Sequence, residues 1–184
     1  MRIISGEWRS RTLIAPKGDN TRPTADRTRE ALFSMLTSRL GSFEGLHVLD
    51  LFAGSGALGL EALSRGAAYC TFVEQDRVAF EALQKNISKL AGNSPIYNIL
   101  PQSVLSLGKA PKAYDLILMD PPYATGAGAV ALDKLARLGW ISPSSWISIE
   151  TGRREDIQVT GFEIDKRRDI GKARITLLRP VSPS

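Results

Sequence analysis

The chain has 184 residues, of which 43% are hydrophobic and 23% charged, and its formal net charge is +5. This length suits one domain with a well-buried core, and this composition argues against extensive disorder. No apolar stretch reaches the roughly 18 to 20 residues that span a bilayer, and the single cysteine excludes an internal disulfide or a cysteine-based metal cluster. Because the first residues also lack the apolar segment of a signal peptide, we expect a cytoplasmic protein. We expect no metal site.

Basic residues are concentrated at both ends of the chain. Lys and Arg outnumber Asp and Glu by eight to four in residues 1–40 and by eight to five in residues 151–184. The central residues 41–150 hold eight basic and ten acidic side chains. Basic flanks suit a polyanion such as nucleic acid, because cationic side chains neutralise phosphates and release counterions. Charge alone is equally well explained by solubility.

The first forty residues predict a basic extension. Residues 2–4 and 12–14 favour β structure and are separated by a polar stretch, which indicates a short hairpin. A turn-rich loop follows, and Thr24 can cap a helix that runs to about Leu40. We therefore divide the chain into an extension over residues 1–40 and a larger domain over residues 41–184.

Strands and helices alternate from Gly45 onward. The apolar runs of the predicted strands are continuous, which suits a parallel sheet covered on both faces. The predicted elements are strand 48–52, helix 57–65, strand 70–74, helix 77–90, strands 96–100 and 115–119, helix 129–138, strand 146–150, and a hairpin of 163–169 and 173–179 around Gly171. This order predicts an α/β fold with a Rossmann-like, doubly wound, mostly parallel sheet and an antiparallel C-terminal hairpin.

A glycine loop, residues 54–59 with the sequence GSGALG, lies between the first strand and helix of the larger domain. Glycines there allow a tight turn and let a ligand approach backbone N–H groups. Glu74 closes the next strand, where its carboxylate can accept hydrogen bonds from ribose hydroxyls, although a solvated strand end is the alternative. The loop indicates a nucleoside-bearing cofactor, but it does not by itself separate NAD from S-adenosylmethionine.

Asp50, at the mouth of the first strand, favours S-adenosylmethionine. Its carboxylate can lie near the cationic amino-acid end of that cofactor, whereas it would repel a pyrophosphate. In the alternative, Asp50 holds the glycine turn by accepting hydrogen bonds from backbone N–H groups. The two roles are compatible.

A second motif, Asp120-Pro121-Pro122-Tyr123, follows the apolar run of residues 116–119. An exocyclic amine of a nucleobase is a weak nucleophile, because its lone pair is delocalised into the ring. Asp120 and the carbonyl of Pro121 can accept its two N–H bonds, the Tyr123 ring can fix the base plane, and the prolines stiffen the corner. The motif predicts methyl transfer to such an amine in an unstacked nucleotide, and the alternative is a turn that only ends a strand.

With both motifs present, the chain resembles the class I S-adenosylmethionine-dependent methyltransferases. More narrowly, it resembles the bacterial small-subunit ribosomal RNA guanine-N2 methyltransferases, the RsmD family. The narrower resemblance rests on residues 2–13, RIISGEWRSRTL, and on residues 21–33, TRPTADRTREALF. It covers nearly the whole length and weakens after about Trp140.

This resemblance implies a seven-stranded domain that uses S-adenosylmethionine to methylate a guanine N2 in a hairpin loop of 16S ribosomal RNA near the peptidyl site. It implies base contacts from Asp120, Pro121 and Tyr123. The implied cofactor contacts are Asp50, Phe52, Gly54, Gly56 and Glu74. Ser103, in the neighbourhood where such enzymes place a polar residue against the adenine, is a further cofactor candidate.

The resemblance also gives the basic extension a role. The candidate phosphate contacts are Arg9, Arg11, Arg22, Arg27 and Arg29, and Trp8 can stack on a base. The alternative places Trp8 in a hairpin core and the arginines on a solvated face. We expect the partner to be ribosomal RNA within the small subunit or its assembly intermediate, and the enzyme to be a monomer.

Other functions remain open at this point. The same corner serves DNA or other RNA amino-methyltransferases that act on adenine N6 or cytosine N4, but a recognisable target-recognition domain for duplex DNA is missing. A non-catalytic nucleic-acid-binding module is a second alternative, against which the intact Asp120 and Tyr123 argue. A nicotinamide dehydrogenase leaves the Asp-Pro-Pro-Tyr motif unexplained.

Overall fold

The computed structural model describes residues 1–17 and 23–181. The elements in these residues are α1 (Pro23–Leu40), β1 (His47–Leu51), α2 (Ala57–Ser64), β2 (Tyr69–Val73), α3 (Arg77–Leu90), β3 (Tyr97–Leu100), a 3-10 turn (Val104–Ser106), β4 (Tyr114–Met119), α4 (Ala127–Arg137), β5 (Ile141–Gly152), β6 (Phe162–Ile170) and β7 (Ala173–Pro180).

The strands form one seven-stranded sheet in the order β3-β2-β1-β4-β5-β7-β6. Strands β1 to β5 pair in parallel, and β7 runs antiparallel to both β5 and β6. The predicted parallel sheet with an antiparallel C-terminal hairpin is therefore present. Because parallel strands run in the same direction, their carboxyl ends lie at one edge of the sheet, which is where ligands bind in open α/β sheets.

Alternate side chains of the central strands enter two hydrophobic clusters, one on each face of the sheet. On one face, Val48, Phe72 and Leu118 pack against α1, α2, α3 and the N-terminal segment. On the other face, Leu49 and Ile117 pack against α4 and the turn after β3. Burial on both faces explains the continuous apolar runs in the sequence.

The two arms of the predicted N-terminal hairpin are joined by an antiparallel bridge between Arg2 and Thr12 and by backbone hydrogen bonds, among them Ile3 N–H to the carbonyl of Arg11 at 2.9 Å and Leu13 N–H to the carbonyl of Met1 at 2.8 Å. The backbone of this segment also bonds to α2. The fully buried Glu61 accepts hydrogen bonds from the N–H groups of Ile4 at 2.9 Å and Ser5 at 3.0 Å. These two bonds satisfy backbone donors beside the hairpin and fix it against α2.

Asn86 on α3 ties the same segment to the glycine loop. Its amide oxygen accepts a 2.7 Å hydrogen bond from Ile14 N–H, and its amide nitrogen donates to the carbonyls of Ile14 at 2.8 Å and Ser55 at 2.9 Å. The side chain is fully buried, so all three bonds are shielded from water. The extension therefore shares a core and a polar network with the larger domain. No helix in the described residues is long and apolar enough to cross a membrane.

Candidate active site

Three neighbouring parallel strands, β2, β1 and β4, end together at the carboxyl edge of the sheet, and the adjacent β5 continues past it to Gly152. The register pairs Leu51 with Val73 and with Met119, and pairs Met119 with Ile149. The next residues along these strands are, in sheet order, Glu74, Phe52, Asp120 and Glu150. Since adjacent strands lie about 4.8 Å apart, this edge gathers three carboxylates and an aromatic ring within roughly 15 Å.

Two cavities open at this edge and share part of their walls. The smaller has a volume of about 310 Å³ and the larger about 750 Å³, and Phe52 and Asp120 line both. The smaller cavity is also walled by Val73, Glu74, Gln75, Asp76, Gln102, Val104, Pro121 and Pro122. The larger cavity lies between the extension, the glycine loop, Tyr123, Glu150 and the β6–β7 turn. Asp120 therefore stands at the junction of two ligand-sized spaces.

The glycine loop makes a tight turn at the end of β1. Phe52, Gly54 and Gly56 all have positive φ, at 58°, 58° and 84°. Gly54 lines the larger cavity, and a Cβ built there would meet nothing within 4 Å, so its backbone is open to a ligand. A Cβ at Gly56 would lie 2.4 Å from Cδ1 of Leu83. Gly56 thus allows the loop to pack on α3, and unlike Gly54 it lines neither cavity.

Glu74 supports this loop from the neighbouring strand. One carboxylate oxygen accepts a 2.7 Å hydrogen bond from Gly54 N–H, and the other accepts a 2.8 Å bond from Asp76 N–H. The side chain is 9% exposed and lines the smaller cavity. The alternative of a solvated strand end is therefore wrong, and the carboxylate lies where the sequence predicts a cofactor acceptor.

Asp50 does not reach either cavity, which corrects the prediction that it contacts the cofactor. It is 1% exposed and its Oδ2 accepts a 2.9 Å hydrogen bond from Gly59 N–H in α2. Burial raises the pKa of the carboxyl well above its usual range, and the charges of Asp120 and Glu74 raise it further. Oδ1 has no hydrogen-bond partner among the described residues. The structure therefore favours the second role, in which Asp50 holds the turn into α2.

Ser103 has a structural role in addition to its predicted one. Its hydroxyl oxygen accepts a 3.1 Å hydrogen bond from Leu105 N–H and so caps the 3-10 turn. The residues on either side of it, Gln102 and Val104, line the smaller cavity. The polar contact expected from this neighbourhood is therefore available from Gln102.

The Asp-Pro-Pro-Tyr corner is held from three sides. Pro121 is buried and lines the smaller cavity, and the carbonyl of Pro122 accepts a 2.9 Å hydrogen bond from the Thr125 hydroxyl. Ala124, with φ 59°, donates its N–H to Oε1 of Glu155 at 2.7 Å. These contacts fix the turn that follows Asp120, as a positioning site requires.

Tyr123 lies half-exposed on the wall of the larger cavity. Its hydroxyl donates a 2.8 Å hydrogen bond to Oε2 of Glu150. Burial raises the pKa of Tyr123, and the bond to Glu150 and the charges of Glu150, Asp120 and Glu155 raise it further. The phenol therefore stays protonated and acts as a hydrogen-bond donor.

Three of the predicted RNA-contacting arginines, Arg9, Arg11 and Arg27, are exposed. Arg11 also donates a 3.4 Å hydrogen bond to the carbonyl of Lys89. Arg22 lies outside the described residues. These positions leave the contact with phosphate as a proposal for Arg9, Arg11 and Arg27.

Trp8 is buried, which corrects the prediction that it stacks on RNA, and Arg29 is buried in ion pairs, although it also lines part of the larger cavity. Trp8 is 8% exposed and belongs to the core cluster of the extension. Arg29 is 4% exposed, donates to the carbonyl of Arg2, and pairs with Asp26 at 3.2 Å and Glu61 at 3.6 Å. The buried Glu61 carboxylate needs cationic partners, and Arg29 supplies one of them.

Sequence reasoning missed several residues of the cavities, among them Glu150, Ser148, Lys172 and Gln102. Glu150 had a usable signal, because it follows a buried apolar run in the same way as Glu74 and Asp120. Lys172 had none, because it reaches the site only through the β6–β7 hairpin. Across residues 1–17 and 23–181, no group of three or more His, Cys, Asp or Glu side chains is placed to hold a metal ion.

Comparison with known proteins identifies the family of this chain. The family model described as Conserved hypothetical protein 95 matches residues 1–179. Ribosomal RNA small subunit methyltransferase D of Escherichia coli strain K12 is 40% identical over 152 residues, which are 82% of this chain and 74% of that protein. The chain belongs to this family of small-subunit ribosomal RNA methyltransferases. The expected family is thereby confirmed.

Solved structures agree with this family and its fold. The Escherichia coli protein yhhF superimposes with a TM-score of 0.84 at 31% identity, covering 100% of this chain and 99% of that chain. Magnesium protoporphyrin IX methyltransferase from Synechocystis PCC 6803, solved with bound S-adenosylmethionine, has a TM-score of 0.67 at 16% identity. The match covers 89% of this chain and 87% of that chain. The latter likeness shows the fold alone. The predicted class I methyltransferase fold is confirmed.

Proposed function

We propose that this member of the ribosomal RNA methyltransferase family transfers the methyl group of S-adenosylmethionine to the exocyclic N2 amine of a guanine. The guanine lies in a loop of 16S ribosomal RNA, and the product is N2-methylguanosine. The observation that carries the proposal is the position of Asp120, which lines both cavities at the carboxyl edge of the sheet. A methyl donor in one cavity and a base in the other therefore meet beside this carboxylate.

The cofactor is S-adenosylmethionine, whose sulfonium supplies an electrophilic methyl group. The residues present fit it. The smaller cavity combines apolar walls from Val73 and Val104, which suit an adenine, with the Glu74 carboxylate, which suits ribose hydroxyls. Open backbone at Gly54, which lines the larger cavity, suits the amino-acid end of a cofactor that extends from the smaller cavity past Phe52 and Asp120. We assign cofactor contacts to Phe52, Gly54 and Glu74, and add Gln102.

The target amine is positioned by the Asp-Pro-Pro-Tyr corner. Asp120 accepts one N–H bond of the amine and the carbonyl of Pro121 accepts the other, which frees the nitrogen lone pair from the ring. The Tyr123 ring, on the wall of the larger cavity, fixes the plane of the base. Orientation supplies most of the rate, and Asp120 acts as an acceptor rather than a strong base.

The extension supplies contacts to the RNA backbone. Arg9, Arg11 and Arg27 are exposed on the segment that forms one wall of the larger cavity, so a loop inserted there brings phosphates toward them. These contacts are independent of sequence, and the base is read inside the cavity. We propose that a monomer acts on the small subunit or on its assembly intermediate.

Product analysis tests this function. Small subunits from a strain that lacks the protein are incubated with tritiated S-adenosylmethionine and the purified enzyme, and the labelled RNA is digested to nucleosides. We expect the label in N2-methylguanosine. Subunits from the parent strain are the control, because their target is already methylated and should accept little label.

The alternatives give different results in the same assay. Label on adenine or cytosine would retain the methyltransferase chemistry but contradict the guanine assignment. Duplex DNA, assayed in parallel, tests the DNA amino-methyltransferase. Absence of label in every substrate, with the cofactor bound, would favour a binding module.

A further inference from the structure

A second carboxylate stands beside Asp120 in the larger cavity. Met119 pairs with Ile149 in the parallel register of β4 and β5, so the next residues, Asp120 just after β4 and Glu150 within β5, are neighbours across the two strands. Both side chains line the larger cavity, in which the proposed function places the base. The strand spacing of about 4.8 Å is short enough for one flat ligand edge to contact both carboxylates.

Glu150 is held in place by the residue that fixes the base plane. Its Oε2 accepts the 2.8 Å hydrogen bond from the Tyr123 hydroxyl. A carboxylate has two oxygens and about four acceptor positions, so this bond leaves acceptor capacity on the cavity wall. Carboxylate oxygens are hydrogen-bond acceptors, so Asp120 and Glu150 together present a row of acceptors to a ligand.

Guanine is the nucleobase whose Watson–Crick edge matches such a wall. Its N1–H and its N2 amine are adjacent donors. Adenine and cytosine carry an amine next to a ring nitrogen that is itself an acceptor, and this nitrogen would face a carboxylate without a proton between them. The mismatch disfavours these bases, because two acceptors would face each other without a hydrogen bond.

We propose that Glu150 is the specificity-determining residue for guanine: its carboxylate accepts the N1–H of the target base while Asp120 holds the adjacent N2 amine. This assignment rests on the proposed function and adds to it a residue that reads the base. Tyr123 orients the Glu150 carboxylate through its hydroxyl and contacts the base with its ring.

A base analogue separates recognition of the N1–H group of guanine from binding of its N2 amine. 2-Aminopurine keeps the N2 amine of guanine, but its N1 is an acceptor. Small subunits are reconstituted from ligated ribosomal RNA that carries guanine or 2-aminopurine at the methylated position, and the initial rates of methylation are compared. We expect wild-type enzyme to prefer guanine by about 10- to 100-fold.

Glu150→Gln should largely remove this preference. The glutamine amide can still accept the Tyr123 hydroxyl, and it can turn either its oxygen toward N1–H or its nitrogen toward an acceptor N1. We expect the ratio of the two rates to fall to within about threefold. Glu163→Gln, which removes an exposed carboxylate on β6, is the matched control and should keep the wild-type ratio.

Tyr123→Phe distinguishes recognition of the base by Glu150 from a role of Glu150 in holding Tyr123. It deletes the hydroxyl that bonds Glu150 but leaves both carboxylates, so the preference for guanine should persist even if the overall rate falls. If Glu150 only holds Tyr123, then Glu150→Gln and Tyr123→Phe will change the rates in the same way and neither will change the preference.

The outcomes also separate this inference from the proposed function. Failure of wild-type enzyme to produce N2-methylguanosine on guanine subunits would contradict the function itself. Normal guanine methylation with equal use of 2-aminopurine by wild type, or an unchanged preference in Glu150→Gln, would overturn the role of Glu150 alone. If Glu150→Gln methylates neither base, the preference is measured by binding instead. The equilibrium affinities for subunits that carry guanine and for subunits that carry 2-aminopurine are then compared with S-adenosylhomocysteine present. Weakened S-adenosylmethionine binding in this variant, with the preference intact, would instead place Glu150 at the cofactor.

Discussion

The carboxylate of Glu74 accepts a 2.7 Å hydrogen bond from the backbone N–H of Gly54, which joins the end of β2 to the glycine loop that follows β1. Its second oxygen is bonded to Asp76 N–H, and the side chain lines the smaller cavity. Glu74 therefore combines two roles, since it holds the loop and presents an anionic acceptor to that cavity.

Glu74→Ala should weaken cofactor binding by about 100-fold, and Glu74→Gln by about 10-fold, because the amide retains one acceptor but loses the charge. Calorimetric titration with S-adenosylhomocysteine measures both. Glu81→Gln, an exposed change on α3, is the control. Affinities within twofold of wild type in Glu74→Ala would remove Glu74 from the cofactor site.

Asp50→Asn should become more stable relative to wild type as the pH rises. The buried carboxyl has a raised pKa, so above about pH 4 the unfolded chain releases a proton that the folded protein retains. The stability contributed by this group is complete below pH 3.8 and is lost as the pH rises toward the folded pKa. The amide oxygen can still accept the Gly59 N–H.

Urea denaturation at pH 4, 6 and 8 measures this difference. The free energy of unfolding of Asp50→Asn, minus that of wild type, should increase across this range. Asp133→Asn, an exposed change on α4, should give no such trend. Parallel pH curves for wild type and Asp50→Asn would show that Asp50 is ionised in the folded protein.

The elements that the sequence predicted best are those whose signals are local. The predicted bounds of α3, residues 77–90, are those observed, because Asp76 caps the helix and its apolar face repeats regularly. The start of β5 was placed five residues too late, at Trp146 rather than Ile141. Pro143 and its neighbouring serines have the composition of a turn, yet they continue the strand where the pairing with β4 shifts register.

Site residues that directly follow a predicted strand could be found from the sequence. Site residues whose burial depends on tertiary packing could not. Glu74 and Asp120 follow from their places after apolar runs. The burial of Arg29 and Trp8 depends on Glu61 and Ser64 of α2, which accept from the extension across more than thirty residues. Asp50 was misplaced for a similar reason, because only the packing of α2 shows which face of β1 its carboxylate occupies.

The exposed and buried arginines of the extension should behave differently. Replacing Arg9, Arg11 and Arg27 together by Ala should weaken binding to ribosomal RNA by about 10-fold or more and lower the salt dependence, since each phosphate contact contributes roughly 0.7 to 0.9 to the slope of log affinity against log salt. Arg29→Ala should instead destabilise the fold by about 3 kcal/mol, because it leaves Glu61 with one fewer cationic partner.

Filter binding across a salt series and urea denaturation measure these two effects. The triple variant should unfold at the same urea concentration as wild type, which is its control. An unchanged salt slope in the triple variant would exclude these arginines from the RNA interface.

Asp120→Ala tests most directly the claim that this carboxylate joins a cofactor site to a base site. Methyl transfer to small subunits and S-adenosylmethionine affinity are measured on one preparation, with Asp120→Asn as the matched variant that keeps an acceptor. We expect Asp120→Ala to lose at least about 100-fold in rate with cofactor affinity within about threefold of wild type, and Asp120→Asn to retain part of the activity. Undiminished turnover in Asp120→Ala would contradict the mechanism.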